Sequence, residues 1–204
     1  MTEFTKVMSV PILPGLKGTG EHDHCPASAN HGLPGAWWGI HVEDPTKSTM
    51  FVNYETPDAY AAFQRSATCC PELQKAVSVP HEATFDAILS PPAGKVLGAA
   101  PIIEVAKLQL KAGVTREAWL AQMVLMQKLL DAIDACKGYA AGFVEGNDDY
   151  LILVGWDTVE SHTEWMKGEK ATPGSPVHDF GAMIETSEMH HIAIREVMPG
   201  ASRH

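Results

Sequence analysis

The sequence has no long apolar segment and no cluster of basic residues. No stretch approaches the roughly 20 consecutive apolar residues that a bilayer-spanning helix needs, so we expect no contact with a membrane. The formal net charge is −10, with 15 Lys and Arg against 25 Asp and Glu. Because a nucleic-acid backbone repels such a surface, we expect no nucleic-acid partner. The N-terminus lacks the pattern of a secretory signal, which favours a soluble cytoplasmic protein.

Several motifs of common enzyme classes are also missing. There is no GxSxG elbow, P-loop, GxGxxG turn or HExxH helix, which removes the usual hydrolase, nucleotide-binding, dinucleotide-binding and metalloprotease interpretations. The four cysteines form no CxxC pair and have no zinc-finger spacing, so we expect reduced thiols. These absences exclude classes of protein without identifying another.

What the sequence does contain is an imperfect internal repeat. The segment "WWGIHVEDPTKSTMFVNYETPDAYAAFQ", from Trp37, parallels "AAGFVEGNDDYLILVGWDTVESHTEWMK", from Ala140. Each copy is typical of a short strand, a polar turn, an apolar strand and a helix, with helix caps at Thr56 and Asp157. Both copies then reach a proline–histidine segment and a predicted last strand, "KVLGAA" in the first copy and "MHHIAIREV" in the second.

The second copy is complete and the first is not. Residues 101 to 197 predict strand–helix–strand–strand–helix–strand, with Thr115 capping a long helix that ends before Gly138. The first copy opens with a predicted strand over residues 4 to 13, followed by "PGLKGTGEHDHCPASANHGLPG", which is too rich in Gly and Pro for a helix. We therefore predict two units. They are a degenerate repeat over residues 1–100, with a His-rich loop at 15–35, and a complete repeat over residues 101–204.

The hairpin that leads into "GWDTVESHTEWMKGE" resembles the dimeric α+β barrel superfamily, especially its antibiotic-biosynthesis-monooxygenase and stress-responsive branches. There, an aromatic–acid pair at a strand end starts a helix that carries a late aromatic residue. The resemblance covers residues 101 to 197 and, more loosely, 36 to 100. It implies an α+β fold in which two ferredoxin-like repeats form an intramolecular barrel, the first repeat lacking its first helix. It also implies a pocket in each unit, between sheet and helices, for aromatic or polyketide-like substrates.

The helix after Thr115 is unusually apolar. Its stripe of Trp119, Met123 and Met126 either packs into a core or against a second subunit, or lines an apolar substrate cavity. From this stripe, the loop and the strand aromatics we predict a set of substrate-binding residues. They are His22, Trp37, Trp38, Trp119, Met123, Met126, Phe143, Trp156 and His178.

Histidine is the main candidate for acid/base chemistry, because its ordinary pKa lies near neutrality and the chain has ten. In its predicted strand, His41 faces away from its two apolar neighbours, so it either packs as a structural residue or enters a pocket. His190 and His191 are adjacent in the last predicted strand and must point to opposite faces. We expect His162 to lie on a solvated helix face.

The resemblance and the histidines together lead to a mechanistic hypothesis. His24 or His41 abstracts a proton from the substrate, and Tyr54 or His191 stabilises the resulting enolate. Cyclisation, rearrangement and oxygenation all begin with this step. These four residues are the predicted catalytic residues, and we predict neither a cofactor nor a metal ion.

The loop "GEHDHCPASANHG" allows three interpretations. His22, His24 and Cys25 are ligand types for zinc, copper or iron, with further ligands from His31 or His41. The loop can also form a pocket wall, or be ordered and chemically silent. We favour the pocket wall over the metal site, because the loop stands where the second copy has the long helix that covers one side of the pocket in this superfamily.

The function that these features predict is a cofactor-independent small-molecule enzyme of secondary metabolism, of cyclase, rearrangement or monooxygenase type. Its predicted substrate is small and apolar, aromatic or polyketide-like. One alternative is a metal- or haem-dependent enzyme that uses the His-rich loop. Another is a non-catalytic stress-responsive or ligand-binding barrel protein. An internal pseudo-dimer needs no partner chain, yet it leaves room for a homodimer.

Overall fold

The computed structural model describes residues 4–11, 35–56, 58, 59, 61 and 83–197. Within these residues it contains eight strands and four bounded helices. In chain order they are β1 (Phe4–Pro11), β2 (Gly35–His41), β3 (Lys47–Tyr54), β4 (Ala83–Ile88), α1 (Gly94–Leu97), β5 (Ile102–Leu110), α2 (Arg116–Asp131), β6 (Cys136–Phe143), β7 (Tyr150–Trp156), α3 (Val159–Ala171), α4 (Pro176–Ala182) and β8 (Ile184–Val197).

All eight strands belong to one antiparallel sheet, in the order β4-β1-β3-β2-β8-β5-β7-β6. The first four strands have the order 4-1-3-2, and the last four have the same order displaced by four strands. Two isolated bridges, Ala87 to Val144 and Ser90 to Ala141, also link the regions of β4 and β6, the two ends of the sheet. The prediction of an α+β fold built around antiparallel strands is therefore confirmed.

Two hydrophobic cores lie on opposite faces of the sheet. One contains Val96 of α1, and we call that side the α1 face; the other contains Trp119 of α2, and we call it the α2 face. Strand β7 shows the alternation, because Leu151 belongs to the first core and Ile152 to the second. Every position of β7 is buried, which explains the unbroken apolar sequence "YLILVGW".

Helix boundaries differ from the predicted ones in two places. Thr115 caps α2 as predicted, accepting a hydrogen bond from the Ala118 amide, but α2 ends at Asp131 and the predicted helix is too long. Gly138 lies instead in β6, at a register shift where it adopts a φ of 122°. Helix α3 is capped by Thr158 and not by the predicted Asp157.

The predicted last strand of the first copy, "KVLGAA", is wrong. Its first three residues belong to the short helix α1, whose Val96 and Leu97 are buried. The strand is β4, which lies earlier, inside "PHEATFDAIL", and pairs antiparallel with β1. Pairing with β1, which is distant in sequence, determines that residues 83–88 form the strand, and local propensity does not. The second copy's "MHHIAIREV" lies within β8 as predicted.

Some predictions concern residues or properties that the structure does not test. Most of the His-rich loop at 15–35 and the missing first helix lie outside the described residues. The division at residue 100 and the homodimer stay predictions, although α2 leaves Leu120, Val124 and Leu125 exposed. Of the helices that the structure describes, none is long and apolar enough to cross a membrane.

We expect Gly142→Ala to destabilise the protein at the contact between the two ends of the sheet. A Cβ at Gly142 in β6 would lie 2.0 Å from the carbonyl oxygen of Ile88. Since backbone must move to relieve this clash, the free energy of unfolding should fall by about 1–3 kcal/mol, as measured by urea denaturation. The control is Gly168→Ala in α3, where nothing lies within 4 Å, and there we expect a rise of up to about 1 kcal/mol. A Gly142→Ala variant as stable as the wild type would contradict this account.

Candidate functional site

A cleft of about 380 Å³ lies on the α1 face. This volume falls within the range of roughly 300–1,000 Å³ that is typical of small-molecule pockets. Its apolar lining includes Val7, Phe85 and Val105, and its polar lining includes two histidines, His41 and His190. The charged residues that line it are Glu43, Asp44, Lys47, Lys107 and Glu188.

Strand register brings the two cleft histidines together. In the antiparallel pair β2–β8, His41 is opposite Ile192, and His190 lies two residues away along β8 on the same face. The two rings stack with their centroids 4.0 Å apart. His41 Nε2 lies 2.7 Å from Thr49 Oγ1, whereas His190 Nε2 is buried and has no hydrogen-bond partner among the described residues.

The histidine pair favours a neutral ring at His190. Burial, and after it the charge of nearby His41, lowers the pKa of His190 to about 4. At neutral pH His190 therefore carries no charge and can accept a proton. Because two positive rings at this separation would repel each other, the pair accommodates one proton charge more readily than two.

Two lysines supply positive charge to the same cleft. Lys107 Nζ lies 3.5 Å from Glu188 Oε2 and 3.9 Å from Asp149 Oδ2. Lys47 Nζ lies 4.0 Å from Asp44 Oδ2. These ion pairs are long and partly exposed, so each contributes little to stability. An anionic substrate group can therefore compete with these carboxylates for Lys107.

A second group of polar side chains is buried on the α2 face. We call Glu104 of β5, His162 of α3 and His191 of β8 the buried cluster; they are 8%, 2% and 4% exposed. His162 Nδ1 lies 2.8 Å from His191 Nε2, and His162 Nε2 lies 3.5 Å from Glu104 Oε2. Glu43 lies 2.5 Å from His191 Nδ1 and also accepts from the His191 amide. Trp156 Nε1 donates to Glu104 Oε2 over 2.9 Å.

These hydrogen bonds determine which ring nitrogens carry protons. Because the Glu43 carboxylate only accepts, His191 carries a proton on Nδ1, and its neutral form presents a lone pair at Nε2. His162 then donates from Nδ1 to that lone pair, so a neutral His162 presents its own lone pair at Nε2. That lone pair faces the Glu104 carboxyl group. An ionised Glu104 therefore presents a second acceptor to this lone pair, whereas a protonated Glu104 faces it with a donor over 3.5 Å, which is long for a hydrogen bond.

The electrostatics differ between the two ends of this network. Burial lowers the pKa of His162 to about 4, and the charge of His191 acts in the same direction. Burial raises the pKa of Glu104, and the hydrogen bond from Trp156 opposes only part of that rise. Burial would also raise the pKa of Glu43, but the hydrogen bonds from His191 outweigh it and lower that pKa. The charged forms of His162 and Glu104 are thus disfavoured, whereas the charged form of Glu43 is favoured.

The structure separates the predicted catalytic residues. His41 lines the cleft, but His191 belongs to the buried cluster on the other face. Tyr54 donates to Asp86 Oδ1 over 2.8 Å, on the sheet face opposite to His41. His24 lies outside the described residues. The three residues that the structure describes are therefore not brought together, and the catalytic roles of all four stay predictions.

Of the predicted substrate-binding residues that the structure describes, none lines the cleft. Trp119, Met123, Met126, Phe143 and Trp156 belong to or pack against the core on the α2 face, and Trp37 belongs to the core on the α1 face. Trp38 is the neighbour of Trp37 on the opposite face of β2, and His178 is exposed, with Nε2 3.0 Å from the Lys170 carbonyl oxygen. His22 lies outside the described residues. Substrate binding by these residues stays a prediction.

The expectation that His162 lies on a solvated helix face is wrong. Its ring packs against the Trp156 ring, with centroids 5.1 Å apart, because this side of α3 lies on the sheet. Sequence reasoning also did not select Glu43, Glu104 or His190. One available signal was the single carboxylate within the apolar strand "PIIEVAKLQL", since a buried acid in such a strand needs a specific partner.

We expect a His190→Gln variant to lose less stability than the wild type on acidification. An unfolded chain takes up this proton near pH 6.5, but the folded chain takes it up only near pH 4. The free energy of unfolding of the wild type therefore falls as the pH is lowered through this interval, and glutamine removes that contribution. Urea denaturation at about pH 7 and about pH 4.5 measures how much the free energy of unfolding falls in the wild type and in the variant. His178→Gln, at an exposed site, should behave as the wild type, and equal losses in all three proteins would contradict the prediction.

Comparison with known proteins identifies relatives by fold alone. No family model matches the chain, and no curated protein matches its sequence. A protein assigned as a monooxygenase from Lactobacillus acidophilus NCFM is 10% identical, with 98% of this chain and 97% of that chain covered and a TM-score of 0.65. A second protein assigned as a monooxygenase, from Fusobacterium nucleatum subsp. nucleatum, is 9% identical, with coverage of 96% and 94% and a TM-score of 0.63.

An anthrone oxidase-like protein is similar over the same length. It is 8% identical, with coverage of 100% of this chain and 95% of that chain and a TM-score of 0.62. At such identities the likeness concerns the fold alone. It shows that the chain shares the ferredoxin-like α+β fold of these proteins, as the resemblance in the sequence implied.

Proposed function

We propose that this chain is a small-molecule enzyme of the monooxygenase type, which uses histidine acid/base chemistry without an organic cofactor. The observation that carries the proposal is the cleft on the α1 face, where the buried His190 Nε2 has no hydrogen-bond partner among the described residues. The chemistry of the three fold relatives supports this class by analogy only.

The architecture in this proposal is a tandem pair of ferredoxin-like units that closes into an intramolecular barrel. Its support is the strand order, which repeats between the two halves, and the two bridges between β4 and β6. In such a barrel the α1 face is the interior. The cleft then opens into the barrel and not into the space between helix and sheet.

The chemical step begins with proton transfer from the substrate to the His41–His190 pair. A neutral imidazole accepts a proton from an activated carbon or a phenolic oxygen, and the substrate becomes an enolate or phenolate. Lys107 and Lys47 line the same cleft and stabilise the developing negative charge. Dioxygen then oxidises the carbanion: a CH₂ group becomes C=O, and the second oxygen atom leaves as water.

The substrate that suits this cleft has an apolar ring system and one ionisable oxygen. Val7, Phe85 and Val105 provide apolar contact area, and the histidines and lysines provide the polar contacts. An aromatic or polyketide-like compound has both features. Cyclisation and rearrangement begin with the same proton transfer, and a failure to consume dioxygen during turnover would favour one of them.

We expect His190→Gln to reduce turnover of an activated aromatic substrate. With anthrone as the probe, the wild type should consume one dioxygen per anthrone, as measured with an oxygen electrode and by product absorbance. Loss of a general base should lower kcat/KM by about 10²–10⁴-fold. Glu185→Gln, at an exposed position outside the cleft, is the control and should retain full activity. Equal activity of His190→Gln and the wild type would overturn the assignment of His190.

The pH dependence of kcat/KM should report the same group. A base must be deprotonated to act, and the pKa of His190 lies at about 4. We therefore expect kcat/KM to stay level through the neutral range and to fall only as the pH approaches about 4. Circular dichroism at each pH controls for unfolding. A loss of activity centred near the ordinary histidine pKa of about 6.5 would assign the base to another residue.

A further inference from the structure

The buried cluster on the α2 face has no part in the reaction proposed for the cleft. We propose that Glu104, His162 and His191 bind one divalent transition-metal ion, and that Glu43 and Trp156 orient these ligands. The inference is separate from the proposed function, because its three ligands lie on the opposite face of the sheet and do not line the cleft, although Glu43 borders both sites.

The ligand atoms lie close enough together to share an ion. Each of the three residues offers one imidazole nitrogen or carboxylate oxygen, and these atoms all lie within 4.8 Å of one another. His162 Nε2 and Glu104 Oε2 are 3.5 Å apart. That separation is long for a hydrogen bond, but it is close to that of two ligands on one tetrahedral ion with bonds of about 2.1 Å.

The surrounding hydrogen bonds are those that a metal site requires. A histidine that binds a metal commonly donates its other ring N–H to a carboxylate, which sets the tautomer. Glu43 accepts from His191 Nδ1 in this way and leaves His191 Nε2 as a lone pair inside the cluster. Trp156 donates to Glu104 and holds its carboxyl group toward His162. Both outer partners thus orient a ligand without occupying the position of the ion.

One buried atom of the cluster lacks a partner. His162 is 2% exposed, and its Nε2 has no hydrogen-bond partner among the described residues. With a neutral His191 the network makes this nitrogen an acceptor, and the Glu104 oxygen that faces it lies 3.5 Å away, beyond a normal hydrogen bond. A buried acceptor without a donor is unfavourable. A cation between the two atoms satisfies both of them.

The ligand set selects the class of ion. Two imidazoles and one carboxylate suit zinc, iron(II) or cobalt(II), whereas magnesium and calcium prefer oxygen ligands alone. In the ion-free arrangement His162 Nδ1 and His191 Nε2 share a hydrogen bond of 2.8 Å. When the ion binds, His191 Nε2 gives up this hydrogen bond and becomes a ligand together with His162 Nε2 and Glu104, so the two rings turn relative to each other.

The experiment is a cobalt(II) titration of the full chain after treatment with a chelator. We expect one Co²⁺ per chain, a visible d–d absorption band and a higher melting temperature, since a ligand that binds only the folded state stabilises it. Zinc should displace cobalt and abolish the band. None of these readouts depends on a substrate or on catalysis.

Three variants assign the binding to the cluster. Glu104→Gln keeps the size and the acceptor for Trp156 but removes the anionic ligand, and Glu43→Gln removes the carboxylate that orients His191. For Glu43→Gln we expect affinity to fall by about 10–100-fold, and for Glu104→Gln by at least as much. The double variant His22→Ala/His24→Ala, in the His-rich loop, should bind as the wild type. Melting of the ion-free variants shows that each one folds.

Two outcomes would overturn the proposal. One is the absence of stoichiometric cobalt binding by a folded wild type, which would leave a proton as the only cation shared by the cluster. The other is binding that survives in Glu104→Gln and disappears in the loop double variant. That result would assign the ion to the His-rich loop.

Discussion

The antiparallel pairing of β2 with β8 is the interaction on which both polar sites depend. It joins the first four strands of the sheet to the last four. On the α1 face it stacks His41 on His190. Just beyond β2, the Val42 amide donates to the His191 carbonyl oxygen over 2.8 Å, which places Glu43 beside the His191 ring. Gly39 permits this close approach, because a Cβ there would lie 2.4 Å from the Ala193 carbonyl oxygen.

The adjacent residues His190 and His191 lie in two different polar environments, because both faces of the sheet are covered. His190 faces a cleft and stacks on another histidine, while His191 faces the helices and joins a hydrogen-bonded network. The pKa of His190 is low because burial opposes charge. In the network, the Glu43 carboxylate accepts hydrogen bonds from His191, which lower the pKa of Glu43 and keep it charged. The alternation of a strand is enough to separate these two chemistries.

The sequence predicted features that depend on local patterns. The opposite directions of His190 and His191, the cap at Thr115 and the last strand of the second copy all follow from periodicity or capping chemistry. The short helix at "KVLGAA" was not predicted, because its apolar residues are as compatible with a strand as with a helix. The position beside β1 is occupied by β4 instead, and that pairing is not visible in the local sequence. The burial of His162 was not predicted either, since one turn of helix does not reveal which face lies on a sheet.

The sequence by itself determined the α+β class, the last strand of the second copy and the opposite faces of His190 and His191, because each depends on residues a few positions apart. Only the tertiary structure decided which side chains meet. Glu43 and His191 are 148 residues apart, and His162 reaches His191 from a helix that packs over another strand. Such contacts arise from strand register and helix packing, which distribute their energy over many residues and leave no motif at the positions that they bring together.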